Sequence, residues 1–237
     1  MLCNSQGTPK ASPFGAAWDT AVTKMRKRQK RLRDRVDAGR RLAALLSNHE
    51  SEPDTIVLGL PRGGVPVAAA VATALELPLD VLVVRKLGVP GFEEVAFGAI
   101  ASGGIEVLNH NVMMSAGMDD ESINRVRTEQ TAELRRRETA YRGDRPPLDV
   151  SGKTVIVVDD GTATGATMRA AVEALRTAEP ASVIAAVGVA PPDTVRSLGR
   201  SADQVVSVLT PSDFSAVGVW YDDFTQTTDE EVVAALS

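Results

Sequence analysis

Val155-Ile156-Val157-Val158-Asp159-Asp160-Gly161-Thr162-Ala163-Thr164-Gly165-Ala166-Thr167 is the stretch whose reading decides the fold. Four consecutive branched apolar residues predict a strand buried on both faces of a parallel sheet. Two carboxylates at its carboxyl end then stand where ligands bind in open α/β folds. Residues 161–167 are all Gly, Ala or Thr. Such a loop lets backbone N–H groups and hydroxyls close around a phosphate, and a following helix adds the positive end of its dipole. Met168, Ala171, Val172 and Leu175 recur at helical spacing and supply that helix with a buried face. An ionised carboxylate accepts hydrogen bonds and donates none, so an acidic pair beside a phosphate cradle suits the adjacent hydroxyls of a sugar. The joint reading is a phosphorylated pentose. A plain strand end with a turn and a helix cap accounts for each residue singly but not for their order. A nucleotide P-loop is disfavoured, because no Gly-x-x-x-x-Gly-Lys-Ser/Thr run exists.

These thirteen residues resemble the phosphoribosyl pyrophosphate signature of the type I phosphoribosyltransferases: an apolar strand, two acidic residues and a Thr-Gly-x-Thr phosphate loop. The resemblance implies a doubly wound, mainly parallel α/β sheet with accessory helices and a hairpin or hood. It puts Asp159 and Asp160 on the ribose hydroxyls. The loop Thr162, Ala163, Thr164, Gly165, Ala166 and Thr167 falls on the 5′-phosphate, with Thr164, Gly165 and Thr167 as its contacts. Family members acting on 6-oxopurines commonly carry Asp where this chain has Ala163, which points away from hypoxanthine and guanine and names no other base.

Upstream, residues 55–60 predict a first strand ending at Pro61-Arg62-Gly63-Gly64-Val65-Pro66. Two glycines permit close approach to a ligand, and Arg62 suits an oxyanion. A tight turn with a surface arginine is the plainer alternative. In the resembled family a loop at this place clasps the pyrophosphate of the donor, which implies that role for Arg62, Gly63 and Gly64. Residues 80–84 predict the next buried strand, delivering Arg85 and Lys86 to the same edge, where two cations suit a leaving pyrophosphate or simply close a strand in solvent. Residues 88–94, with two glycines and a proline, have the composition of a mobile lid. Val84 to Gly91 with Glu94 and Gly98-Ala99-Ile100 resemble a little-characterised branch of that family with a Pro-Arg-Gly-Gly loop. Glu94 either orients a ligand or pairs with Lys86. Residues 98–108 predict a hairpin, His110 a turn, and residues 119–141 a long charged helix packed through Ile123, Val126, Gln130 and Leu134.

Downstream, residues 182–189 and 202–209 predict two more strands around a short helix at 191–198, giving about five strands in a doubly wound sheet. Phe214, Trp220, Tyr221 and Phe224 are four of nine aromatic residues in the chain. They read as anchors that staple the tail to the domain rather than a hood stacking on a base. Asp229-Glu230-Glu231 suit the first turn of a final helix. Residues 1–20, rich in small residues, Pro and Gly, read as a flexible extension. Lys24, Arg26, Lys27, Arg28, Lys30, Arg31, Arg33, Arg35, Arg40 and Arg41 form a basic run on a helix whose packed face is Leu32, Val36, Gly39, Ala43 and Leu46. Without interleaved aromatic residues this is a solvated face rather than a nucleic-acid surface. Leu32 to Leu46 also resembles the N-terminal helix of the same family branch. The organisation expected is an extension (1–20), a basic accessory helix (21–50), a core (51–210) with an insertion at 98–149, and an aromatic tail with a helix (211–237).

Over 237 residues the chain is 43% hydrophobic with a formal charge of −5, enough apolar residues for one substantial α/β domain. No 18-residue apolar run or apolar leader is present, and a single cysteine, Cys3, forms no intramolecular disulfide, so a soluble cytoplasmic protein is expected. The expected reaction is displacement of pyrophosphate from phosphoribosyl pyrophosphate by a small nitrogenous acceptor. Asp159, Asp160, Arg85 and Lys86 are its catalytic candidates, and Mg²⁺ is held mainly through substrate and water rather than by the protein. A homo-oligomer is compatible with this reading. The competing classes are a non-catalytic binder of the same phosphosugar, acting as a regulator, and a phosphosugar hydrolase, for which no nucleophile triad is seen.

Overall fold

The structure is a computed structural model and describes residues 31–237. In chain order the first elements are α1 (Arg35–Leu45), β1 (Thr55–Gly59), α2 (Gly64–Leu75), β2 (Leu79–Val81), β3 (Val84–Val89), β4 (Phe92–Ala101) and β5 (Ile105–Leu108). Then follow α3 (His110–Ser115), α4 (Asp120–Arg142), β6 (Thr154–Asp159), α5 (Ala166–Arg176), β7 (Ser182–Val189), α6 (Pro192–Leu198), β8 (Gln204–Leu209) and α7 (Asp229–Leu236). Residues 1–20 and the part of the basic run from Lys24 to Lys30 lie outside the described residues.

Five strands form one parallel sheet in the order β2-β1-β6-β7-β8. Their near-continuous apolar sequences follow from burial on both faces. Val57, Ile156, Val158, Ile184 and Ala186 pack on the side of α1 and α2. Leu58, Val155, Val157, Val183, Ala185 and Val187 pack on the side of Met168, Ala171, Val172 and Leu175 of α5. Strands β1 and β6 are neighbours, yet the chain leaves β1 for the first face and β6 for the second. The two exits diverge and open a crevice between the carboxyl ends of these strands, the usual ligand position in such sheets.

Several expectations are corrected. Residues 80–84 are not one strand: β2 ends at Val81, and Val84 opens a separate antiparallel sheet, β3-β4-β5. The apolar run 81–84 hides the change of sheet, because periodicity is blind to the partner. The change is made by Ser102, whose hydroxyl accepts from the Val83 N–H at 3.0 Å and whose own N–H donates to the Val83 carbonyl at 2.9 Å. The insertion therefore begins at Val84 rather than residue 98. Residues 88–94, whose composition suits a lid, form the tip of the β3–β4 hairpin, turning at Gly91 with φ of 79°. The hairpin expected at 98–108 is β4–β5, with Gly98 opposite Leu108 and Ala101 opposite Ile105. His110 opens α3, capped by Asn109, rather than occupying a turn.

A further correction concerns α1. It starts at Arg35 because the Asp34 carboxylate caps the Asp37 N–H at 2.7 Å. Leu32 precedes the helix and pairs with the C-terminal tail: its N–H donates to Trp220 and its carbonyl accepts from Asp222. Gly39, Ala43 and Leu46 are buried as expected, but Val36 is 42% exposed. Helix α1 packs on α2 through Gly39, where a Cβ would lie 2.5 Å from both the Val67 carbonyl oxygen and the Ala70 Cβ. Gly39→Ala gains about 1 kcal/mol of helix propensity. It costs about 1–3 kcal/mol of overpacking against a backbone that cannot yield locally. The net expectation is a lower urea midpoint with an unchanged m-value; a higher midpoint would mean that α1 is free to shift on α2.

Candidate functional site

The crevice is built on the end of β6. Asp159 is its last residue, and its carboxylate accepts the Asp160 N–H at 2.8 Å. The loop after β1 lies directly on this pair. The Leu60 N–H donates to the Val158 carbonyl at 2.9 Å, and the Pro61–Arg62 peptide is cis. A Cβ on Gly63 would sit 2.0 Å from an Asp160 carboxylate oxygen. One on Gly64 would sit 2.5 Å from the Val158 carbonyl oxygen and 2.9 Å from the Asp159 Cα. Real Cβ contacts do not approach that closely, so only glycines let this loop reach the carboxylates.

On the other side, residues 161–165 bend around an open cup. The Thr162 N–H donates to the Val189 carbonyl, and the Thr162 hydroxyl accepts the Gly165 N–H at 2.9 Å. Thr194, buried on α6, donates its hydroxyl to the Ala163 carbonyl at 2.6 Å and so props the loop from behind. Gly165 closes it with φ of 72° as the residue before α5, which has no side-chain cap. First-turn N–H groups at such a terminus point at a ligand, and the helix dipole favours a negative one. Ala163, Thr164 and Thr167 are exposed along the rim.

The acidic pair is electrostatically costly. Crowding by protein atoms, and then the neighbouring Asp160 charge, push the Asp159 carboxyl well above the usual carboxylate range. Burial also raises Asp160, but Arg35 opposes it, with Nε 2.9 Å from Asp160 Oδ2. The Tyr221 phenol donates to the Asp160 main-chain carbonyl at 2.5 Å, and burial holds that phenol far above its ordinary range. Neither residue was marked by the sequence as part of the site. A signal for Arg35 exists: it precedes Gly39 by four and Ala43 by eight, on the buried stripe of α1 rather than the solvated one. Tyr221 was expected as a staple, which it is, and nothing in its local sequence says that the staple is fastened to Asp160.

The remaining candidates are spread more widely. The Arg62 guanidinium is 3.8 Å from Asp229 on α7, a carboxylate that also accepts from the Tyr141 hydroxyl at 2.7 Å. Arg85 turns to α4, donating from Nε and Nη2 to Gln130 at 2.9 and 2.6 Å. Burial and then the nearby Arg137 lower its pKa. Lys86 lines a cleft of about 250 Å³ with Ala166 and Arg169, beside the start of α5. Glu94 is on β4, and its side chain lies outside the described residues. The crevice thus gathers Asp159, Asp160, Gly63, Gly64 and the 162–167 loop; Lys86 borders it, whereas Arg62 and Arg85 engage α7 and α4. Among the described residues no group of three or more His, Cys, Asp or Glu is disposed to hold a metal ion. The one acidic pair at the crevice already has Arg35 on one member.

A family model described as the phosphoribosyl transferase domain matches residues 28–223. Two Mycobacterium tuberculosis proteins with provisional phosphoribosyl transferase names, MT0597 of strain CDC 1551 and Rv0571c of strain H37Rv, are each 48% identical over 203 residues. Those alignments cover 86% of this chain and 46% of theirs, so the chain spans about half the length of these relatives. The crystal structure of the Thermus thermophilus protein TT1426 is similar at 44% identity and a TM-score of 0.79, over 87% of this chain and 97% of that one. Both loops that meet over β6 fall within the matched span, and the chain belongs to the phosphoribosyl transferase domain family.

Proposed function

We propose that the protein transfers the 5-phosphoribosyl group of phosphoribosyl pyrophosphate to a small nitrogenous acceptor. The observation that carries this reading is the seating of Gly63 and Gly64 on Asp159 and Asp160, in the same crevice as the cup before α5. An anion site, a hydroxyl-accepting pair and a second loop able to approach a ligand then follow one another in the order of a 5′-phosphate, a ribose and a pyrophosphate. In the reaction the bond from the anomeric carbon to pyrophosphate oxygen breaks, the acceptor nitrogen bonds to that carbon, and the nitrogen proton passes to solvent or to the released pyrophosphate. Asp159 and Asp160 orient the hydroxyls and lie beside the ribose as positive charge develops on it. Mg²⁺ would supply charge neutralisation on the pyrophosphate when bound, and would be held mainly through donor oxygens and water. Arg62 reaches the pyrophosphate by leaving Asp229, a half-exposed contact at 3.8 Å of a kind worth about 0–1 kcal/mol.

Pyrophosphate release, measured with Mg²⁺ and phosphoribosyl pyrophosphate across purines, pyrimidines, amines and aromatic carboxylates, is the direct test. Turnover with at least one acceptor is expected. Mg²⁺-dependent donor binding without turnover assigns a regulator instead, and no donor binding overturns the reading.

Because Asp159 is favoured in its neutral form, its contribution to stability is fully present below the unfolded carboxyl pKa and is lost as pH rises through the raised folded value. Asp159→Asn keeps the shape and removes the charge. It is expected to raise Tm near neutral pH, by about 2–4 °C for each kcal/mol relieved, with the advantage fading toward acid. Asp160→Asn strands Arg35 without its carboxylate and is expected to lower Tm. Both variants should weaken donor binding in calorimetry. Equal destabilisation by the two at neutral pH would remove the electrostatic argument.

Lys86 and Arg85 separate as well. Lys86 borders α5, while Arg85 is committed to Gln130. Once an acceptor is known, Lys86→Met is expected to lower kcat by about tenfold or more, and Arg85→Met by less than about threefold. The reverse order would place Arg85 on the leaving group.

A further inference from the structure

Helix α1 enters the crevice through a single side chain. Arg35, its first residue, donates from Nε to Asp160 Oδ2 at 2.9 Å and from Nη1 to the Thr225 carbonyl at 2.6 Å. Its guanidinium carbon lies 4.2 Å from the centroid of the Phe224 ring. Phe224 in turn is 5.0 Å from the ring of Tyr221, whose hydroxyl donates to the Asp160 carbonyl. Asp160 is therefore gripped at its carboxylate and its main chain by two residues that belong to one assembly. That assembly is the pairing of the segment before α1 with the C-terminal tail, in which Leu32 bonds to Trp220 and Asp222, and Arg33 accepts from Asp223. Strand β7 leaves room for it: a Cβ on Gly188 would lie 2.2 Å from the Tyr221 hydroxyl oxygen and 2.4 Å from the Asp160 carbonyl oxygen.

We infer that Arg35 is a positioning residue for the phosphosugar, holding the Asp160 carboxylate ionised and fixed in rotation, and that it joins the donor site to the pairing of the chain's two flanking segments. The inference rests on the crevice being a phosphoribosyl pyrophosphate site. The groups that face Asp160 are Asp159 from the same strand end, Arg35 from α1 and the Tyr221 phenol from the tail. Only Arg35 among them is positive. Without it, burial favours protonation of Asp160. A protonated carboxyl donates where a sugar hydroxyl needs an acceptor. A purely structural ion pair would affect folding without changing how donor affinity depends on pH.

The test uses the full chain in three forms: wild type, Arg35→Met and Arg35→Lys. In ligand-free protein the Asp160 carboxyl carbon is followed by ¹³C NMR against pH, with its signal assigned by its loss in Asp160→Asn. Binding of phosphoribosyl pyrophosphate with Mg²⁺, and of inorganic pyrophosphate with Mg²⁺, is followed by calorimetry from about pH 5.5 to about pH 8.5. In Arg35→Met, Asp160 is expected to titrate at least about one pH unit higher than in wild type. Donor affinity is expected to fall about tenfold or more at the acid end and to recover partly at the alkaline end, with pyrophosphate affinity within about threefold. Arg35→Lys keeps the charge but not the planar fork that spans Asp160 and Thr225, so it should restore the Asp160 titration and only part of the affinity. An unchanged Asp160 titration in Arg35→Met overturns the inference, as does an equal, pH-independent loss of both ligands. If Arg35→Met does not fold, Arg35→Gln, an uncharged donor, takes its place with the same expected shift. Wild-type protein that binds no donor sinks the site reading itself, while the ligand-free titration still decides whether Arg35 governs Asp160.

Discussion

Asp159 and Asp160 put two carboxyl groups on consecutive residues at a crowded strand end, and the rest of the crevice is arranged around the cost of ionising them. Burial drives both toward the neutral form, and the Asp160 charge makes ionisation of Asp159 harder still. Arg35 relieves one of them by a direct ion pair, so the two carboxylates are not equivalent. The glycines of the 61–64 loop come close enough to cover the pair, and the Tyr221 hydroxyl fixes the peptide that carries it. A protein selected for stability alone would place apolar or amide residues here, since removing a buried charge and repacking is often neutral or favourable. A costly pair at the carboxyl end of a central strand is in keeping with the proposed role in binding.

The loop before α5 likewise leaves local backbone groups without a side-chain cap. Helix α5 begins without a capping side chain, although Ser, Thr or Asp at its entry would have supplied one, and Gly165 adopts a left-handed conformation instead. The loop is still not loose. Thr162 bonds back to Val189 and forward to Gly165, and Thr194 supports Ala163 from a buried position on α6. Such support beneath the start of a helix that lacks a side-chain cap suits the preorganised anion site proposed here.

The antiparallel sheet β3-β4-β5 and helix α4 form a second layer with its own apolar cluster, including Val83, Leu87, Phe97, Ile123, Leu134 and Tyr141. It is tied to the parallel sheet by charge as well as packing: Arg142, with an 8% exposed side chain, donates to Asp80 on β2 at 2.9 Å. Arg85 is absorbed into this layer through Gln130. Lys86, the next residue along β3, lines a cleft with Ala166 and Arg169 at the start of α5 as well as one with Arg85 and Gln130.

The sequence by itself determined the parallel core and the chemistry of its central loop. Continuous apolar runs mark strands buried on both faces, and Asp159 to Thr167 carries its acidic pair, hydroxyls and glycines within one local stretch, where backbone geometry alone brings them together. The two strands that follow β6, the β4–β5 hairpin, α4 and the acidic start of α7 were legible for the same local reason. Tertiary structure decided everything that depends on a partner far along the chain. The split of residues 80–84 between two sheets depends on Ser102, and the place of Leu32 outside α1 depends on Trp220 and Asp222. The commitment of Arg85 to α4 depends on Gln130, and the recruitment of Arg35 and Tyr221 depends on Asp160. An arginine in a basic run and a tyrosine in an aromatic tail look alike whether they face solvent or a buried carboxylate. Hydrophobic period reports which side of an element is buried, and only the fold says what that side meets.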